Sequence, residues 1–90
     1  MIWGIEFLQE AEKDMKRLDH SVQIQVLKGI KKVSKNPLPV SQGGYGKPLG
    51  NKENTNLTNL MKIKFRDIGI RVVYKIEYVD EVMKIIVISA

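Results

Sequence analysis

The 90-residue chain has no cysteine, one histidine and one tryptophan. The missing cysteine excludes disulfides, thiolate metal sites and cysteine nucleophiles. The lone His20 has no clustered ligands around it, so no metal site and no cofactor is expected. No stretch approaches the ~18–20 consecutive apolar residues of a membrane span. The opening MIWGIEFLQE lacks a basic region followed by an apolar run, so it does not read as a secretory signal. The cytoplasm is the expected compartment. Acidic residues are the minority: ten Asp and Glu face fifteen Lys and Arg, a formal charge of +5. That balance favours acidic partners, either nucleic acid or a negatively charged protein. Hydrophobic content of 43% is ordinary for a folded domain, and the length suits one domain.

Residues 2–8 (IWGIEFL) alternate, with Trp3, Ile5 and Phe7 on the expected core side. From Gln9 to Leu18 the period changes, and Ala11, Met15 and Leu18 form a helical stripe. Asp19 is placed to cap a second helix over about His20–Lys35. Val22, Val26, Ile30 and Val33 mark its core side, and Ile24 and Leu27 widen the stripe as if two flanks were packed. Asn36-Pro37 ends it, because the residue before proline avoids the α region. Residues 37–57 hold all three prolines and four of the seven glycines. So long an irregular stretch is either functional, mobile or a tolerated surface connection. Three strands follow, over 60–66, 70–78 and 82–89, separated by turns at Asp67-Ile68-Gly69 and Asp80-Glu81. The last strand is nearly apolar and should lie inside the sheet. The expected fold is α+β, ordered β-α-α-β-β-β, with a helical hairpin covering one face of an antiparallel or mixed sheet.

In LMKIKFR (60–66), Met61, Ile63 and Phe65 oppose Lys62, Lys64 and Arg66. In IRVVYKIEY (70–78), Ile70, Val72, Tyr74, Ile76 and Tyr78 oppose Arg71, Val73, Lys75 and Glu77. The apolar sets must share the helix-covered face, so Lys62, Lys64, Arg66, Arg71 and Lys75 share the open one. The bland reading is a solvated sheet face. The functional readings are phosphate-backbone binding by Lys and Arg and stabilisation of a phosphorane-like transition state. Clustered ammonium groups also lower one another's pKa, which frees a lysine to accept a proton. The basic end of the second helix, with Lys31 and Lys35, is either a solvated face or a second contact for RNA or an acidic protein. Trp3 reads as packing, Tyr74 and Tyr78 as core, and Tyr45 as a free loop aromatic. Gly43, Gly44 and Gly46 lack the Lys-Ser/Thr ending of a phosphate loop.

LMKIKFRDIGIRVVYKI (60–76) followed by VMKIIVIS (82–89) resembles the RelE branch of the RelE/ParE toxin superfamily. IEFLQEAEKDMKRLD (5–19), the second helix and GKPLGN (46–51) fall where that family places them, so the resemblance spans nearly the whole chain. It implies a small curved antiparallel sheet backed by a helical hairpin. It further implies the toxin of a type II toxin–antitoxin pair, with a cognate antitoxin as protein partner. Such toxins cleave messenger RNA in the ribosomal A site through the 2′-hydroxyl and without a metal. The family's K-x-K falls on Lys62 and Lys64, its strand arginine on Arg71, and a further basic position on Arg66. One lysine would activate the 2′-hydroxyl; the other, with Arg71, would steady the phosphate. The pattern departs at Ser89-Ala90, where the family runs on into an arginine-bearing basic stretch, a tyrosine and a C-terminal helix. The expectation is therefore a single domain over 1–90 that binds RNA poorly and cleaves little. Two other readings stay open: a ParE-like inhibitor of DNA gyrase, which K-x-K with the strand arginine disfavours, and an inactive form that binds only its antitoxin.

Overall fold

The computed structural model describes residues 3–49 and 60–90. The chain runs β1 (Gly4–Phe7), α1 (Gln9–Lys16), α2 (His20–Val33), β2 (Lys47–Pro48), β3 (Leu60–Phe65), β4 (Ile70–Glu77) and β5 (Val82–Ser89). The strands form one sheet in the order β1-β5-β4-β3-β2. Every pairing is antiparallel except β1 with β5. Both helices lie on the same side, α1 against β5 and β1, and α2 against β3. β4 and β5 therefore sit inside the sheet, as their apolar content requires.

Strand alternation sorts the faces. From β3 and β4, Met61, Ile70, Val72, Tyr74 and Ile76 turn inward and meet Ala11 of α1 and Val26, Ile30 and Val33 of α2. Trp3, Ile5 and Phe7 of the first segment pack against this core while staying half-buried. β5 breaks the alternation. Val73 pairs with Val87 but Tyr74 pairs with Ile85, so Ile86 is an extra residue that bulges the strand. The bulge moves the inward set from Met83 and Ile85 to Ile88, which is 4% exposed. Ser89 is thereby turned to the open face, opposite Arg71.

Several expectations need correction. Leu18 and Lys35 lie beyond the ends of their helices. Asp19 stands at the N-cap of α2 but makes no side-chain capping bond. Ile24 and Leu27 are exposed, so α2 is packed on one flank only among the described residues. Tyr78 lies past the end of β4, is exposed, and meets the edge of Trp3 with ring centroids 6.2 Å apart. The strand ends at Glu77 before Tyr78 can join the core.

The irregular stretch is partly built. It contains a 3-10 turn at Val40–Gln42 and the edge strand β2; residues 50–57, including the end of GKPLGN, lie outside the described residues. The buried Tyr74 hydroxyl donates to the Pro37 carbonyl at 2.8 Å, tying this stretch to the core. Burial without a nearby charge pushes the Tyr74 phenol well above its usual pKa. Among the described residues no helix is long and apolar enough to cross a membrane.

Candidate functional site

The face opposite the helices carries the cations in rows set by strand register. Lys64 of β3 stands opposite Arg71 of β4, which stands opposite Ser89 of β5. In the next row Lys47 of β2 pairs with Lys62 of β3. Opposed side chains on antiparallel strands have Cβ atoms about 4.5–5.5 Å apart, and Lys62 and Lys64 are ~6.5 Å apart along β3. Four cations from three strands therefore crowd one patch. Arg66 joins it differently from the expectation. The strand ends at Phe65, and Arg66 opens a 3-10 turn through Ile68. Gly69 closes that turn with φ of 66°, a left-handed conformation that suits glycine. Arg66 therefore reaches the adjoining cleft from this turn rather than from the strand.

That cleft, of about 500 Å³, lies between Lys64, Arg66 and Arg71 on one side and Ser89 and Ala90 on the other. A second cleft of about 390 Å³ shares the Lys64–Phe65–Arg66 wall and is bounded by Lys47, Gln25 and Asp67. Lys64 is exposed, yet its ammonium is held below the usual lysine pKa. The main cause is repulsion from Lys62, then from Arg71; slight desolvation, Arg66 and Lys47 follow. A solvated lysine with that many cationic neighbours loses its proton more readily than an ordinary one.

Lys62, Lys64, Arg66 and Arg71 are thus brought together, and Lys47 joins them. Lys75 shares the open face, diagonal to Lys62 across β3 and β4, but lines neither cleft. It sits four residues from Arg71 along β4, or ~13 Å, opposite Lys84, whose ammonium is 3.6 Å from Glu77. Lys31 and Lys35 are exposed on or just beyond α2, on the helix side, and line neither cleft. Lys47 and Ser89 were missed from the sequence. Lys47 belongs to a strand of two residues, too short to show alternation. Ser89 has the wrong parity until the Ile86 bulge is counted. Among the described residues no three His, Cys, Asp or Glu side chains gather as a metal site.

A small sheet with one face covered and the other strongly cationic attracts anionic groups such as phosphates. No family model matches the chain, and no curated protein matches it by sequence. Solved structures do match. The intact Escherichia coli RelBE toxin–antitoxin complex superposes with a TM-score of 0.76 at 22% identity, over 97% of this chain and 94% of the other. The isolated E. coli RelE toxin gives 0.76 at 24% identity, over 97% and 82%. The RelBE2 toxin–antitoxin complex of Mycobacterium tuberculosis gives 0.76 at 20%, over 99% and 91%. This chain is built on the RelE toxin fold.

Proposed function

We propose that this protein is the toxin of a type II toxin–antitoxin pair and that it cleaves messenger RNA in the ribosomal A site. The observation that carries the reading is the row of Lys64 and Arg71 beside Lys62, with Arg66 at the rim of the same cleft. The RelE fold and the K-x-K and strand-arginine pattern support it.

In this reading Lys64 is the general base. Its lowered pKa raises the neutral fraction available to take the 2′-hydroxyl proton. The 2′-oxygen then attacks the adjacent phosphorus, the bond from phosphorus to the 5′-oxygen breaks, and a 2′,3′-cyclic phosphate forms. The leaving oxygen takes a proton from a protonated side chain or water at the cleft mouth. Lys62 and Arg71 hold the phosphate oxygens and offset the charge that builds on them. The nucleophile is part of the substrate, so the residues need only orient, deprotonate and neutralise. Lys47 and Arg66 extend the contact to neighbouring phosphates. Lys75, Lys31 and Lys35 are proposed as outlying contacts to the same polyanion rather than as members of the cleft. The protein partner is an antitoxin, as in the RelBE complexes whose fold this chain shares.

The test is cleavage of a defined message on programmed ribosomes by the parent chain, Lys64→Met and Arg71→Met. Codon-dependent cutting by the parent, at whatever rate, that both variants lose is the expected result. A parent that leaves the message intact but blocks gyrase supercoiling would overturn the reading.

A further inference from the structure

The outer edge of β5 is held by two different devices. Along Val82–Ile85 it pairs with β1, and the Leu8 N–H donating to the Ile85 carbonyl at 2.9 Å is the last backbone bond of that ladder. The chain then leaves the sheet to form α1, so among the described residues the distal half of β5 has no strand on that side. The N–H of Ile88 points away from β4 into this gap. There it donates to the Asp14 carboxylate of α1 at 3.0 Å. The Asp14 side chain is only 18% exposed. Its other neighbour, Arg17, is 4.0 Å away and 78% exposed, a loose contact on the solvent side. A side chain from a helix thus replaces the missing strand.

The place of this bond matters. It lies two residues beyond the Ile86 bulge and one residue before Ser89. A strand end that carries a bulge and an unpaired edge frays easily. A hydrogen bond to a carboxylate is stronger than a neutral one and holds such an end in place. Ser89 lines the cationic cleft and stands opposite Arg71.

We propose that Asp14 is a positioning residue for the cationic cleft: its carboxylate clamps the end of β5 through Ile88 and so sets the placement of Ser89 and of Arg71 opposite it. This rests on the RNA reading of the cleft only for its functional consequence. What it requires of Asp14 is an acceptor oxygen at the right reach; the charge strengthens the bond but does not define it. Asparagine therefore suffices and alanine does not.

The experiment uses the 15N-labelled chain and a short single-stranded RNA blocked against cleavage by a 2′-deoxy nucleotide. Parent, Asp14→Ala, Asp14→Asn and Val22→Ala are compared, the last a partly buried position on α2 whose truncation lowers stability without removing the Asp14–Ile88 bond. Asp14→Ala should weaken RNA binding about five- to tenfold, the scale of one ordinary hydrogen bond. It should also speed exchange of the Ile88 amide and shift the Ser89 and Arg71 resonances. Asp14→Asn should stay within about twofold of the parent, as should Val22→Ala. Parent-like binding by Asp14→Ala, equal weakening by Val22→Ala, or failure of Asp14→Asn to rescue would overturn the inference. If Asp14→Ala does not fold, Asp14→Ser, too short to reach Ile88, carries the same comparison. A parent chain that binds no RNA would overturn the RNA reading alone. The clamp is then judged on the free protein, where shifts confined to Ile88 refute it and shifts reaching Ser89 and Arg71 uphold it.

Discussion

Gly29 sits inside α2, where two effects of known size oppose each other. Glycine in a helix interior costs about 1 kcal/mol relative to alanine, so helix propensity alone says that Gly29→Ala stabilises. The structure says otherwise. A Cβ at position 29 would overlap Cε1 and Cζ of the Phe65 ring, which lies against the helix at that point. Phe65 ends β3 and packs on the core, so its ring can leave the helix only by giving up that packing. Overpacking of this kind costs about 1–3 kcal/mol. The net expectation is a loss of about 1 kcal/mol after the propensity gain is subtracted. For a domain of this size that lowers Tm by roughly 4–8 °C. Urea unfolding of the parent, Gly29→Ala, Phe65→Ala and the double variant measures each term. With the ring removed, Gly29→Ala should become stabilising by about 1 kcal/mol, a change of sign between backgrounds. A Gly29→Ala chain more stable than the parent would refute the claim that ring contact, rather than helix propensity, governs this position.

Further outcomes follow from the site and the core. Lys64→Met and Arg71→Met should lose RNA cleavage while their stabilities stay within about 0.5 kcal/mol of the parent, since both side chains are exposed; thermal melts beside the cleavage assay check this. Lys62→Met removes the largest cause of the lowered Lys64 pKa. The rising limb of the pH–rate profile should therefore move to higher pH, and a limb that stays put would dismiss Lys64 as the base. Between the lowered folded-state value of Lys64 and the ordinary lysine value, the unfolded chain holds more protons. Stability should thus rise with pH across that window and show no such dependence in Lys64→Met. Tyr74→Phe strips the buried Pro37 carbonyl of its donor and should cost about 1–3 kcal/mol, read as a lower urea midpoint with unchanged m.

Much of this molecule is legible in one dimension. The period of two in LMKIKF and IRVVYKIE puts Met61, Val72 and Tyr74 on one face and Lys62, Lys64 and Arg71 on the other, because side chains alternate along any strand. The period near 3.6 in α2 likewise picks out Val26, Ile30 and Val33 as its buried side. Charge balance and the lack of cysteine are properties of composition and need no fold. The reach of these patterns ends where a local rule is broken by something distant. The bulge at Ile86 reverses the parity of Ser89, and a bulge exists only between two paired strands. Lys47 becomes a neighbour of Lys62 through a two-residue edge pairing, which carries no period of its own. Ile24 and Leu27 are apolar yet exposed, since packing depends on what lies opposite and not on the helix alone. Asp14 looks like one more charge on an amphipathic helix until Ile88, 74 residues away, is brought to it. Sequence by itself determined which residues share a face, a consequence of local backbone geometry. Only the tertiary structure decided which faces, rows and strand ends meet, because that depends on contacts between residues far apart in the chain.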